Sequence, residues 1–320
     1  MGRIFQTDWT TVLDMEFTTK STPKKNQVRS PLRYPGSKRR FIGYIERALE
    51  INQIKPSLYI EPFIGGGSIA LQLLQDNFVD YAILMDIDPW ISSFWDVVFF
   101  DTEWFIEQVK TIEVTLEKWV ALKNVEPLTI RDQALTCFFL NRTSFSGILV
   151  SQVGPLGGRD QKSQYKIDCR FSREGLISRI KKVSLLRNRI IGVWNCSWKD
   201  GIDRLRKEQE KGLLPLENLF FYFDPPFFKK AASLYRYYFF EKDHIELRDF
   251  LLSLQDKWIL SYDSAQEVET LYGNALRKKI NGTHSHHFDL LYFVASESKR
   301  RQSREVILSN LEKLPEKTDQ

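Results

Sequence analysis

The stretch Tyr59 to Leu74, YIEPFIGGGSIALQLL, runs from an apolar segment into three consecutive glycines, Gly65, Gly66 and Gly67, and then into apolar residues at helical spacing. A short apolar run bounded by turn signals reads as a buried strand, and the periodicity that follows reads as a helix. Glycines at such a junction let the backbone approach a ligand closely, as in nucleotide-binding α/β folds, and they also serve as a plain tight turn. The next apolar run ends at Met85-Asp86-Ile87-Asp88. It sets a carboxylate about 20 residues beyond the glycines, where a ribose hydroxyl pair needs an acceptor. No GxxxxGK[ST] pattern is present, which argues against a triphosphate-binding loop.

Outward from this stretch, three runs read as buried strands: Leu58 to Pro62, Tyr81 to Met85 and Leu219 to Phe223. Ile190 to Trp194, Trp258 to Tyr262, Phe288 to Val294 and Glu305 to Leu308 are further candidates. Asp243 followed by Glu246 has the capping-box spacing of a helix start before LRDFLLSL. Strands alternating with helices imply a largely parallel sheet with crossover connections, an α/β fold. The middle departs from this pattern. Residues 101 to about 145 carry helical periodicity without strong strand signals, and a loop rich in Gly and polar residues follows from Ser144 to Gln164. The chain therefore divides into a flexible basic N-terminal arm over 1–30, a main α/β domain over 31–100 and 188–312, an insert over 101–187, and a short flexible tail over 313–320.

Forty-six Lys and Arg against 41 Asp and Glu make only a small excess, but its distribution is uneven. From Lys20 to Arg40 there are eight cationic side chains and no acidic one, and further basic stretches run from Arg173 to Arg189 and from Lys299 to Arg304. Clusters of this kind suit a polyphosphate partner, though each taken alone also reads as a solvated face. Cys137, Cys169 and Cys196 form no CxxC pair, so neither a zinc site nor a disulfide framework is indicated. No segment approaches the roughly 18 apolar residues of a membrane helix, and the expectation is a soluble, cytoplasmic protein without an export signal. His284, His286 and His287 lack a matching carboxylate or cysteine set and are expected to lie in a loop, with no metal site.

The most informative residues are FYFDPPFF at 221–228. There an apolar strand delivers Asp224-Pro225-Pro226-Phe227. The Asp224 carboxylate and the Pro225 carbonyl, held by a rigid Pro-Pro unit, can each accept a hydrogen bond from one amino group. Two such acceptors draw the nitrogen lone pair out of conjugation, and the Phe227 ring offers a stacking face for an extruded base. Read by itself the tetrapeptide is also a strand ending in a proline turn.

Taken with RYPGSK (33–38), IEPFIGGGS (60–68), LMDID (84–88) and FLNRTSFSG (139–147), FDPPF (223–227) resembles the Dam-type adenine-specific DNA methyltransferases, over most of the chain from about Pro31 to Leu308. The resemblance implies a Rossmann-like S-adenosylmethionine methyltransferase sheet, seven-stranded with one antiparallel strand, and an inserted, mainly helical target-recognition domain carrying a hairpin loop. It implies that Tyr34, Gly36 and Lys38 contact the cofactor or the reaction centre, and that Glu61, Phe63, Gly65 and Gly67 surround the methionine part of S-adenosylmethionine. Asp86 would hold the ribose, Ile87 would pack on the adenine ring, and Asp224, Ser197 and Trp198 would add cofactor contacts. Lys38, Arg39, Asn141, Arg142, Ser144, Ser146, Arg159 and Lys162 are the implied DNA contacts, Arg142 equally serving to anchor the loop. Phe227 replaces the family's commoner tyrosine, and GILVSQVGPLGGRDQ does not reproduce the arginine-containing hairpin that reads GATC.

The implied activity is methylation of the exocyclic amino group of a flipped-out adenine in double-stranded DNA, by a monomer that acts beside a separate restriction endonuclease or in phage or host DNA marking. Methylation of cytosine, of RNA or of a protein glutamine remains a rival reading, as does a DNA-binding homologue without catalysis. A cytosine tetrapeptide usually begins with Ser, so Asp224 favours adenine.

Overall fold

The computed structural model describes residues 28–34, 38–229, 231–263, 266–278, 284–292 and 301–315. The proposed N-terminal arm up to residue 27, Gly36, and the tail beyond residue 315 lie outside these residues.

Within them, seven strands form one sheet: β1 (Leu58–Glu61), β2 (Tyr81–Asp86), β3 (Ile190–Asn195), β4 (Leu219–Phe223), β5 (Lys257–Asp263), β6 (His284–Tyr292) and β7 (Arg301–Ser309). Their order is β3-β2-β1-β4-β5-β7-β6. Pairing is parallel from β3 to β5, and β7 runs antiparallel to both of its neighbours. This is the mixed α/β sheet expected of a Rossmann-like methyltransferase. The first five strands fall within two residues of the apolar runs read from the sequence. The last two extend further, and His284, His286 and His287 belong to β6 rather than to a loop, paired with Ser309, Ile307 and Val306. Tyr and Phe at 288–292 signal a strand, whereas the preceding histidines carry no apolar signal of their own and acquire strand conformation from their β7 partner.

Eleven α-helices are described: α1 (Ile42–Ile51), α2 (Ser68–Gln75), α3 (Pro89–Phe100), α4 (Thr102–Thr111), α5 (Leu116–Lys123), α6 (Ile130–Thr143), α7 (Arg173–Ser184), α8 (Trp198–Glu210), α9 (Ala231–Leu234), α10 (Glu241–Ser253) and α11 (Gln266–Lys278). Side-chain alternation along the strands splits the core in two. Tyr59, Ala82, Phe220 and Tyr222 face one layer with α1, α2 and α3, while Leu58, Ile60, Ile83, Phe221 and Phe223 face the other with α8 and α10. Helices α4 to α7 join the first layer directly. Phe94 of α3 stacks on Phe138 of α6 at 6.0 Å, and Phe105 of α4 meets Phe138 edge-on at 5.2 Å.

Helix starts follow local chemistry. Asp88 caps α3 by accepting from the Trp90 N–H at 2.9 Å, with Pro89 at the first helical position. Helix α10 begins earlier than the Asp243/Glu246 spacing suggested. It starts at Glu241, and Asp243 is the inner partner, accepting from the Phe240 N–H at 2.7 Å. The spacing Phe240 to Asp243 satisfies the reciprocal half of a capping box without a polar residue at the cap, which is why the sequence motif misplaced it.

The sheet order has one topological consequence. The chain leaves β1 toward β2 and β3, then returns to the opposite side as β4. Crossovers on either side of β1 and β4 leave a crevice at their C-terminal ends, the place where open α/β sheets bind ligands.

Candidate active site

Side chains and backbone from the ends of β1, β2 and β4 meet in that crevice. The cavity is lined by Tyr34, Lys38, Glu61, Phe63, Gly65, Gly67, Asp86, Ile87, Asp224 and Pro226, together with Asp88, Tyr222 and the segment Leu234 to Phe239.

Its floor is the glycine turn. The Ile64 N–H bonds the Met85 carbonyl at 2.9 Å, and the Gly65 N–H bonds Asp86 Oδ2 at 3.0 Å, so the turn is fastened to the end of β2. Gly65 and Gly67 have φ of +41° and +64°. A Cβ on Gly65 would lie 2.6 Å from the Tyr34 ring, and one on Gly67 would lie 2.7 Å from the Trp95 ring. Both positions therefore need glycine for conformation and for space. Trp95 Nε1 donates to the Gly65 carbonyl at 2.8 Å and locks the same turn from below.

The walls are acidic. Burial holds the Asp86 carboxyl up at about 7 and nearby Asp88 adds to this, while hydrogen bonds from the Asp88 and Gly65 N–H groups oppose it. Burial also raises Glu61 well above the usual carboxylate range, although it accepts from the Tyr59 hydroxyl at 2.8 Å. Four carboxylates (Glu61, Asp86, Asp88, Asp224) against two cations (Lys38, Arg236) line the cavity. A largely buried set of this kind, with Asp224 partly exposed, suits a ligand that carries positive charge.

At the other end, Asp224 leaves β4 beside Lys38, whose Nζ lies 3.0 Å from Asp224 Oδ1 and 3.7 Å from Glu305 Oε1. Ser261 of β5 donates to Asp224 Oδ1 at 2.9 Å, and Tyr222 shares a 2.8 Å hydrogen bond with the Ser261 hydroxyl. Burial raises the Asp224 carboxyl and the Lys38 ammonium and Ser261 pull it back, while the two carboxylates overcome desolvation and raise Lys38. Pro225 is buried and Phe227 half-buried. The Phe227 ring sits edge-on to Tyr235 at 5.8 Å, with Lys38 Nζ 5.0 Å from its centroid. Phe228 stacks on His244 at 4.1 Å, which anchors the tetrapeptide against α10.

Several of the expected contacts lie elsewhere. The Ser197 hydroxyl caps α8 through the Asp200 N–H, and Trp198 packs on Phe250 at 5.1 Å in a separate groove, so neither reaches the cavity. A serine two residues beyond a strand is as good a helix cap as a ligand contact. Lys38 is 4% exposed and paired with Asp224 and Glu305, so its ammonium lies inside beside the cavity rather than on the outer surface. Asn141 is fully buried, accepting from the Arg33 N–H and donating to the Arg33 and Gly147 carbonyls. Arg142 donates to the Arg170 and Pro31 carbonyls, and buried Ser144 accepts from Trp119 Nε1. These three clamp the insert loop onto the N-terminal segment rather than facing outward. Arg159 and Lys162 are exposed, Arg39 and Ser146 half-exposed, and Ile87 stands 44% exposed at the cavity rim. In place of a regular hairpin, the loop closes through one antiparallel bridge between Ser144 and Pro155.

Arg236, Tyr235, Asp88, Ser261 and Glu305 carried no sequence signal strong enough to single them out. Arg236 bonds Asp88 Oδ1 at 2.9 Å and lies 3.6 Å over the Trp90 ring, drawing the aromatic segment across the cavity. Its position within a dozen residues of the Asp-Pro-Pro-Phe unit was the available hint.

Sheet order, a single reversed strand and a crevice between β1 and β4 define the class, a Rossmann-like methyltransferase fold. Residues 34–165 match the family of D12 class N6 adenine-specific DNA methyltransferases. The chain is also 26% identical over 262 residues to the Type II methyltransferase M.MjaIII of Methanocaldococcus jannaschii, an alignment covering 72% of this chain and 82% of the relative. Together these similarities indicate an adenine-specific DNA methyltransferase, an enzyme that acts on DNA and draws on a methyl donor. Among the described residues no helix is long and apolar enough to cross a membrane, and no group of His, Cys, Asp and Glu is arranged to hold a metal ion.

Proposed function

We propose that the enzyme methylates the exocyclic amino nitrogen of an adenine turned out of duplex DNA, with S-adenosylmethionine as donor. The observation that carries this reading is the convergence of Asp224 with an acidic, glycine-floored cavity at the switch point of the sheet. Glu61, Asp86 and the Gly65–Gly67 turn would hold the donor, with Ile87 at its rim. When bound, the donor supplies an electrophilic methyl group on a positively charged sulfur, a charge that the excess of carboxylates favours.

The chain's own part is acceptance and alignment. Asp224 Oδ and the Pro225 carbonyl accept the two amino hydrogens, and the Phe227 ring covers the base. Stacking of this kind offsets part of the few kcal/mol that unstacking a base costs. Alignment rather than a covalent enzyme intermediate then lowers the barrier.

DNA engagement is assigned to the face beside the cavity. Arg29 and Arg170 are exposed there, with Arg33, Arg39 and Arg179 partly so. The Arg142 and Asn141 clamps bring Arg33 and Arg170 together, and burial, reinforced by neighbouring guanidiniums, lowers Arg33, Arg39 and Arg142 from their ordinary values. Such a gathering of like charge is what DNA phosphates neutralise. The insert over 101–187, as part of a recognition unit, would present Arg159, Lys162 and the 144–164 loop to base edges. The relative's name, a Type II methyltransferase, supports service beside a restriction endonuclease.

The test is long-read modification sequencing of DNA from a methylation-deficient bacterium that expresses the protein, beside a strain expressing Asp224→Ala. Methylated adenine at one recurrent short sequence, absent from the variant strain, is expected. Modified cytosine, or no DNA mark despite donor binding, would overturn the choice of substrate.

A further inference from the structure

Glu305 lies on β7, at the far end of the chain from the glycine turn, and is fully buried opposite Asp263 of β5. A carboxylate removed from water in this way needs a cation, and Lys38 Nζ is 3.7 Å from its Oε1. Lys38 already has Asp224 at 3.0 Å. One ammonium thus stands between two carboxylates, and the group as a whole keeps a net negative charge.

The arrangement bears on what Asp224 can do. Paired one-to-one with Lys38, its carboxylate would be neutralised, and its lone pairs would be drawn to the ammonium. With Glu305 sharing the ammonium, part of the Asp224 charge stays available toward the cavity. An amino nitrogen that gains positive charge as it is alkylated is stabilised by a fixed negative group next to it.

We infer that Glu305 is a positioning residue that divides the Lys38 charge between two carboxylates and so keeps Asp224 an effective acceptor for the amino group of the substrate. The inference rests on the proposed amino-methyltransferase reading. Besides Glu305, the described groups that face the Lys38–Asp224 pair are Tyr222 of β4, Tyr59 and Glu61 of β1, and Tyr34 and Tyr235 from the segments flanking the cavity, with Ser261 of β5 bonded to Asp224. Removing Glu305 leaves all of these in place and returns the whole Lys38 charge to Asp224.

The experiment is single-turnover methylation of an adenine-containing duplex from S-adenosylmethionine by the full chain, as a function of pH, for wild type, Glu305→Gln and Glu305→Asp. Glu305→Gln should slow the transfer step by about tenfold, the equivalent of one unit in acceptor basicity. The KM values for donor and DNA should stay within about twofold. Because Asp224 becomes easier to ionise, the acid limb of the profile should move to lower pH. Glu305→Asp keeps the charge at longer reach and should show the same displacement at reduced size. If Glu305→Gln does not fold, the displacement in Glu305→Asp decides alone. An unmoved acid limb in the folded variants would overturn the inference, whatever happens to the rate, since a loss of packing slows turnover without shifting it. A wild-type enzyme that transfers no methyl group to adenine would instead remove the reading beneath the inference, and the inference with it.

Discussion

The cavity and the face beside it are built from opposite charge. At the ends of β1 and β2, buried Glu61 and Asp86 are held in a protonation range well above that of a free carboxylate. A short way off, across Tyr34 and Arg33, guanidiniums from the N-terminal segment, the loop before α7 and α7 itself crowd together. Each half carries a cost by itself: buried carboxyls close together on one side, and guanidiniums crowded together on the other. Desolvation and like-charge repulsion are costs that a protein retains where a ligand relieves them. The contrast supports the proposed arrangement, in which a cationic donor would occupy the cavity and a polyanion would lie against the basic face beside it.

The comparison breaks hardest at the point where the two halves meet. Asp224→Ala should lower the methyl-transfer rate by about 10² to 10³ or more while leaving DNA affinity near that of wild type, as measured by single-turnover assay and fluorescence anisotropy. Loss of DNA binding in that variant would mean that Asp224 supports the basic face rather than the chemistry. Next in size, Gly67→Ala forces a side chain into positive φ and against Trp95. It should cost about 1–3 kcal/mol of stability in chemical denaturation and abolish donor binding in calorimetry.

A pH titration sharpens the acidic half. Asp86, at about 7 in the folded protein, is charged above that pH and neutral below it. Affinity for a cationic donor should therefore weaken as pH falls from 8 to 6, by up to about tenfold per unit below 7, and Asp86→Asn should flatten the dependence. Stability of the donor-free protein moves the other way. A carboxyl raised by folding costs stability when ionised, so the protein gains stability as pH falls from above 7 toward the ordinary carboxylate range. Thermal unfolding with and without donor measures both signs at once. The smallest effect belongs to the basic half. Arg170→Ala leaves its own carbonyl to hold Arg142 and should weaken DNA binding only severalfold, reducing the salt slope by about one without changing site preference.

Much of this was legible from residue order. Five of the strands, the glycine turn, Asp86 and Asp224 all fall where local pattern put them, because a buried parallel strand must be an apolar run and a tight turn at positive φ must be glycine. Asn141 and Arg142 illustrate the opposite case. As residue types they look like DNA contacts, yet they are consumed in holding the Arg33 backbone and the insert loop, a role visible only when chain segments more than a hundred residues apart are seen together. Ser197 and Trp198, expected as cofactor contacts, are found as a helix cap and a packed tryptophan, roles that share the sequence pattern of a ligand contact.

The sequence by itself determined the type of fold, the glycine turn and the Asp-Pro-Pro-Phe unit at the end of β4, since each is specified by residues adjacent in the chain whose conformational and chemical demands are local. Only the tertiary structure decided the partners of Lys38, the burial of Glu305, the reach of Arg236 to Asp88 and the gathering of arginines beside the cavity. Those depend on strand order and on desolvation, and the burial that gives a charge its meaning is created only when distant segments pack.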